Sequence, residues 1–396
     1  MIFSILLISC ASQNSVTSKS NSENSEIPLM FDISKCIKDE NEEIKPFSEK
    51  CAVQIASKMN PGWNLGNTLE ADASTSVLSE TSWGQPVTTQ KMIEGLAKSE
   101  IRTIRIPVTW SNHIIDKNYT IDPQWMSRVK QIVDWAIDAG LYVIINTHHD
   151  NADRARSIPY ASGYYPNSKN YDESARFLKN VWAQISLAFN NSYDEHLIFE
   201  TMNEPRLKGT VYEWKFNEKA PVCIDSAKIL NKLNQLILDT IRSSGGNNQK
   251  RLVSVPALQA DSEIACTPLF KLPSDSSPNR LILSVHLYTP YSFASDPQGT
   301  ATYIPEMSAQ NATTFATLNE KFIKTGCAVI VSEYGAINKN NLSHRIAWFQ
   351  NFQTQAAQYK IPCCLWDNAN PATFGYYNRL SQTWYTPEIL KVLQNQ

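Results

Sequence analysis

From Gly62 onward, short unbroken apolar runs alternate with longer stretches in which apolar residues recur every three or four positions. A run apolar on both faces suits a parallel strand covered on each side, and the longer spacing suits an amphipathic helix. The runs predict eight strands, at 62–67, 101–108, 141–148, 197–202, 252–255, 281–288, 328–333 and 362–366. The spaced stretches predict helices at 88–99, with Thr88 as cap, at 124–139, ended by Gly140, at 173–189, and at 225–244, stopped by Gly245-Gly246. Two more follow at 313–324 and 342–359. Such alternation predicts an α/β fold, a (β/α)8 TIM barrel, in one domain spanning 52–396.

A barrel of this kind carries its chemistry at the C-terminal ends of its strands. The predicted ends hold Asn64, Arg105, His148, Asn203-Glu204, His286, Tyr288, Glu333 and Trp366. Glu204 lies in Thr201-Met202-Asn203-Glu204-Pro205-Arg206, where Pro205 stops strand pairing. Glu333 ends the apolar run Val329-Ile330-Val331-Ser332 and precedes Tyr334-Gly335. Taken singly, either acid also reads as a helix cap or a rim ion pair, and Asn-Glu-Pro as a surface turn. Two acids on strands four and seven that face one cleft are what glycoside cleavage requires. One protonates the leaving oxygen while the other attacks the anomeric carbon or activates water.

The ends of the chain and its charge narrow the setting. The first nine residues, MIFSILLIS, are apolar but far short of the roughly 20 needed to span a bilayer. They read either as a cleaved secretory signal whose start is placed too far downstream, or, through Leu7-Ile8-Ser9-Cys10, as a lipobox with Cys10 lipidated. Both readings put the protein outside the cytoplasm, extracellular or tethered to the cell surface. Residues 11–26 are almost wholly Ser, Asn, Thr, Gln, Lys and Glu and read as a flexible tether. Residues 27–51 mix apolar and charged positions and read as a lead-in that packs across the barrel end or forms a short helix. The net charge of −2 offers nothing for nucleic acid or an anionic membrane, so a membrane enters only through the lipid anchor, and a monomer is expected. Ten Trp and sixteen Tyr suit flat sugar rings, although most such residues belong to cores. Of the seven cysteines besides Cys10, Cys36 with Cys51 and Cys223 with Cys266 are candidate disulfides, and the odd count leaves a free thiol. No CxxC or Cys/His spacing suggests zinc, so neither metal nor cofactor is expected.

Several motifs together resemble glycoside hydrolase family 5. They are Gly62-Trp63-Asn64-Leu65-Gly66-Asn67-Thr68, Ile104-Arg105-Ile106-Pro107-Val108, His148-His149-Asp150, Asn203-Glu204-Pro205-Arg206, His286-Leu287-Tyr288 and Ser332-Glu333-Tyr334-Gly335. Glu70, Ser82-Trp83-Gly84 and Trp366-Asp367-Asn368 make the chain most similar to the subfamily 4 branch of endoglucanases and xyloglucanases. The resemblance covers residues 52–396 and implies a retaining mechanism, with Glu204 as acid/base and Glu333 as nucleophile. It further implies that Asn203 hydrogen-bonds the sugar 2-hydroxyl, that Arg105 holds Glu333 ionised and oriented, and that Tyr288 hydrogen-bonds Glu333. His148 and His286 would line the sugar subsite and tune Glu204, and Trp366 would be the floor on which the ring stacks. Asn64 is a supporting candidate, and His149 and Asp150 follow His148 closely enough to touch substrate. Trp83, Trp110 and Asn368 are candidates for outer subsites, whereas Trp63 and Trp182 read as core. One departure stands out: where the family commonly has Gly after the Trp-Asp-Asn segment, this chain has Ala369.

The leading expectation is an endo-β-1,4-glucanase acting on cellulose-type chains, mixed-linkage glucan or xyloglucan. A xylanase or mannanase of the same fold is the alternative among enzymes. A non-catalytic glycan-binding surface lipoprotein is the alternative outside them, disfavoured because pure binding has no need of an acid and nucleophile pair.

Overall fold

A computed structural model describes residues 27–41, 43–152 and 163–395. Cys10 and the tether at 11–26 lie outside the described residues. Eight parallel strands close into a barrel in chain order: β1 (Gly62–Asn64), β2 (Thr103–Ile106), β3 (Tyr142–Asn146), β4 (Leu197–Glu200), β5 (Val253–Pro256), β6 (Leu281–Leu287), β7 (Ala328–Tyr334) and β8 (Cys363–Leu365). Every strand the apolar runs predicted is present; six are trimmed at one or both ends, β5 is shifted by one residue and β7 runs one residue further, to Tyr334.

Helices α1 (Ala52–Ala56), α2 (Gln90–Lys98), α3 (Pro123–Asp138), α4 (Tyr171–Ala188), α5 (Pro221–Ser243), α6 (Ser262–Ala265), α7 (Tyr291–Ala294), α8 (Ala309–Lys321), α9 (Leu342–Ala357) and α10 (Pro387–Gln394) follow in order. The long ones bury the stripes the periodicity marks, such as Val129, Ile132, Val133 and Ala136 on α3. Two local expectations change. Thr89, not Thr88, caps α2, its side chain accepting from the N–H of Met92. Between β5 and β6 the outer layer is only the four-residue α6, too short for a periodic pattern to reveal. A two-stranded hairpin, β9 (Tyr377–Asn378) with β10 (Thr383–Trp384), leads into α10.

Alternation along the strands sorts the barrel interior into layers. Ile144, Ile198, Ile282, Ile330 and Cys364 form an apolar plug that α1 closes from below with Ala52, Ile55 and Ala56. Two residues further along each strand, the inward positions become polar: Asn64, Arg105, Asn146, Glu200, Ser284 and Ser332, all fully buried. A polar layer on that scale inside a barrel must be internally paired.

The described part of the lead-in at 27–51 straps the outside of the barrel and includes the short 3-10 turn Ile33–Lys35. Met30 donates to Asn180 on α4, the carboxylate of Asp39 accepts from the Ser192 N–H at 2.6 Å, and Arg280 donates to the Lys50 carbonyl at 2.8 Å. All seven described cysteines are free thiols, so neither the Cys36–Cys51 nor the Cys223–Cys266 closure forms. Hydrogen bonding and packing hold these segments without them.

Candidate active site

The polar layer is organised by one guanidinium. Arg105, fully buried, donates from Nε to Glu200 Oε2 at 2.8 Å and from Nη1 to Asn64 Oδ1 at 3.0 Å and Glu333 Oε1 at 2.7 Å. Its Nη2 donates to Asn203 Oδ1 at 2.6 Å. Burial opposes its charge, but Glu200 and Glu333 more than compensate, so the group is held firmly cationic. Glu200 is steadied in turn by Asn146 Nδ2 at 2.8 Å and by the Ser284 hydroxyl at 2.6 Å. Asn64 also donates to the Ser332 carbonyl at 2.9 Å, tying β1 to β7. It stands beneath the site as a brace, with its donors and acceptor spent on protein.

Above this layer the two glutamates meet. The pairing of β6 with β7 shifts register after Val285 and Val331, so that His286 faces Glu333 and Ser332 is the extra residue of a bulge in β7, beside the nucleophile at the barrel mouth. His286 Nδ1 lies 2.7 Å from Glu204 Oε1 and 3.6 Å from Glu333 Oε2. The Tyr288 hydroxyl donates to Glu333 Oε2 at 3.1 Å. One oxygen of each glutamate and a ring nitrogen of His286 lie within 4.8 Å of one another. A cation could be held by such donors, but Arg105 already supplies positive charge at this point.

The charges around this cluster explain its titration. Burial pushes the Glu204 carboxyl up, yet the hydrogen bond and charge of His286, with Arg206 and His149, outweigh it and hold Glu204 below the ordinary glutamate value. Burial would lower His286, but Glu333 and Glu204 raise it above the usual histidine value. The two shifts are opposite in sign because each partner of the hydrogen bond favours the charged form of the other. Burial places His148 well below its usual value, and neighbouring His149 and Arg105 add to this, so it faces the site neutral. His149 falls to about 4, chiefly through burial.

The aromatic wall is continuous. The rings of Trp366 and His148 are nearly parallel, with centroids 6.1 Å apart, His148 meets His149 edge-on at 4.6 Å, and His149 meets Trp83 at 5.6 Å. Gly66 allows Trp366 its place, since a Cβ there would come within 3.1 Å of the indole and 2.7 Å of the Asp367 carbonyl.

The structure thus brings together Asn64, Arg105, His148, His149, Asn203, Glu204, His286, Tyr288, Glu333 and Trp366. Trp83 stands at the rim, partly exposed. Trp110 does not join it: it is fully buried, and its indole N–H donates to the Asn146 carbonyl, so it cannot face a sugar. Asn368 is spent on its own loop, accepting from the Asn370 N–H and pairing with Thr373. Asp150 is buried beneath the rim, accepting from the N–H groups of Trp110 and Ser111. Glu70 is structural as well, accepting from the N–H groups of Asn67 and Thr68, and burial raises it to about 7. Trp63 and Trp182 are core, the former donating to buried Asp367. Sequence reasoning missed Asn146, Glu200 and Ser284. The available signal was a polar residue at the inward position of a strand otherwise apolar on both faces.

A (β/α)8 barrel whose mouth holds two close carboxylates, one gripped by arginine and tyrosine and the other by histidine, beside a tryptophan floor, is the architecture of a two-carboxylate glycoside hydrolase. Residues 69–371 match the family model described as cellulase, glycosyl hydrolase family 5. Endoglucanase B of Ruminococcus albus is 41% identical over 355 residues, spanning 88% of this chain and 81% of that protein. A family 5 lichenase from a Caldicellulosiruptor species, solved with cellotetraose, has a TM-score of 0.82 at 36% identity and covers 91% of this chain and 98% of its own. A subfamily 4 broad-specificity endoglucanase from Ruminococcus champanellensis with bound cellotriose has a TM-score of 0.79 at 35% identity, covering 88% of this chain and 99% of its own. The chain belongs to glycoside hydrolase family 5.

Proposed function

We propose that this enzyme is a retaining endo-β-1,4-glucanase that cuts internal bonds of cellulose-type chains, mixed-linkage glucan or xyloglucan. The observation that carries the retaining reading is the approach of Glu204 and Glu333 to within 4.8 Å. Inverting enzymes hold their carboxyls about 6.5–9.5 Å apart to admit a water, and retaining ones about 5–5.5 Å.

In the first step a Glu333 oxygen attacks the anomeric carbon while Glu204 gives a proton to the departing glycosidic oxygen, leaving a glycosyl ester on Glu333. Arg105 and Tyr288 hold Glu333 in line for that attack. His286, 2.7 Å from Glu204 Oε1, orients the carboxyl for that transfer. In the second step Glu204, now a carboxylate, takes a proton from water, whose oxygen displaces Glu333 from the sugar. Asn203, fixed by Arg105, presents its Nδ2 toward the sugar 2-hydroxyl, and Trp366 stacks under the ring.

A polysaccharide panel with product analysis tests the reading. Reducing ends and short oligosaccharides should appear from carboxymethylcellulose and barley glucan, and Glu333→Gln should abolish them while leaving the fold intact. Glu204→Ala should cripple polysaccharide cleavage far more than cleavage of aryl glycosides with good leaving groups. Equal loss on both substrates would remove the acid/base assignment. Activity confined to xylan or mannan would favour the sister specificity.

Residues 1–10 support an extracytoplasmic location, with Cys10 as a lipid anchor. The test is Cys10→Ala, which should move the protein from the membrane fraction to the soluble one.

A further inference from the structure

Arg206, next to the proline that follows the acid/base, has no role in the mechanism above, yet it is held in place from four directions. Its N–H donates to Asn151 Oδ1 at 2.8 Å, its Nη1 to the Glu204 carbonyl at 3.0 Å and its Nε to Glu213 Oε1 at 3.2 Å. Its guanidinium carbon lies 4.4 Å from the ring centroid of Trp214. Glu213 is pinned by the Gly209 N–H on its other oxygen at 2.9 Å. So arranged, Arg206 Nη1 lies 3.7 Å from Glu204 Oε2, the oxygen that His286 leaves free.

We propose that Arg206 is a positioning residue for the acid/base: clamped by Glu213 and Trp214, it faces Glu204 Oε2 while His286 holds Oε1, and so sets the pH at which that carboxyl changes charge. This rests on Glu204 being the acid/base.

The physical case is that Arg206 is the cation approaching Glu204 from the loop after β4. The other groups facing Glu204 are His286 from β6 and Tyr288 just after it, Glu333 from β7 with Arg105 of β2 behind it, and His149 and Tyr164 from the loop after β3. Glu333 loses its charge when the ester forms and His286 is charged only while protonated, whereas a guanidinium keeps its charge throughout. Its geometry is also set by the loop and not by the barrel. Trp214 is more than half exposed, so the clamp stands at the solvent-facing side of the loop. Glu213 tempers the clamp, because its carboxylate offsets part of the positive charge that Glu204 experiences.

The test is the pH profile of the purified full chain with Arg206→Gln, Arg206→Lys and Glu213→Gln, on barley glucan and on an aryl β-cellobioside. Cleavage of glucan needs Glu204 protonated, and breakdown of the glycosyl ester needs it ionised. Removing the cation should raise the apparent pKa by about one unit. With Arg206→Gln, the alkaline limb of kcat/KM on glucan and the acid limb of kcat on the aryl substrate should both move to higher pH by that amount. Arg206→Lys should restore most of the wild-type profile, and Glu213→Gln should shift the limbs the opposite way. Equal loss of kcat at every pH with the limbs unmoved, or a lysine variant displaced as far as the glutamine one, overturns the proposal; thermal melts confirm that each variant is folded. A wild-type chain that releases no reducing ends from any β-glucan would instead overturn the functional reading, which keeps the two failures apart.

Discussion

Arg105 Nη1 donates to Glu333 Oε1 at 2.7 Å, with the arginine side chain wholly removed from solvent. The same group reaches Glu200, Asn203 and Asn64, so the nucleophile is oriented by a planar fork that also braces the strand carrying the acid/base. Lysine keeps the charge but presents one compact ammonium that cannot span four acceptors. Arg105→Lys should therefore lower kcat on glucan by about 100-fold. Steady-state kinetics beside a denaturation midpoint would check that the loss is catalytic.

Beneath that contact, Glu200 accepts from Arg105, Asn146 and Ser284 in a site of zero exposure. Truncation leaves a buried guanidinium short of one of its two counter-charges. Glu200→Ala should cost about 3–5 kcal/mol of stability. A urea titration with the slope held constant would measure it.

The strap at 27–51 acts as part of the catalytic domain. Asn247 donates to the Lys45 carbonyl at 2.9 Å, and Phe47 lies under both Arg280, at 5.3 Å, and Arg251, at 6.0 Å. A chain beginning at residue 52 should lose about 3 kcal/mol or more, from several hydrogen bonds at roughly 1 kcal/mol each. An unchanged melting temperature would show that the strap only rests on the surface.

His113 stacks flat on Trp125 at 3.7 Å, and burial lowers its pKa from 6.5 to about 3. Between those two values the unfolded chain binds the extra proton and the folded chain does not. Stability should thus be intact above about pH 6.5 and fall as pH drops toward 3, by on the order of a few kcal/mol for this group. His113→Phe should flatten that fall, seen as a smaller loss of melting temperature between pH 7 and pH 4.

Ala369 has φ of 58°, in the left-handed region where a Cβ is strained, and its N–H is held by Asp367 at 2.7 Å. This gives a physical reason for glycine at the matching place in the resembling family. Ala369→Gly should leave stability equal or higher by up to about 1 kcal/mol, since relief of strain competes with the greater freedom of unfolded glycine. Chemical denaturation of the two chains would decide the sign.

By itself the sequence determined the eight-strand count, the barrel and two glutamates at strand ends, while the resemblance to the family supplied the roles of the arginine, histidines, tyrosine and tryptophan. Each signal is local: a strand apolar on both faces needs cover, and a polar residue where such a strand ends must have a reason to be there. Only the tertiary structure decided which polar residues serve substrate and which serve the scaffold. Trp110 and Asn368 look like subsite residues along the chain, but burial and a closed loop take them out of reach. Glu200 looks like one acid among many until the barrel closes and sets it 2.8 Å from Arg105, 95 residues earlier. The separation of Glu204 from Glu333 depends on a bulge in β7 and on the twist of a closed sheet. Those are properties of pairing between distant strands, and no local pattern encodes them.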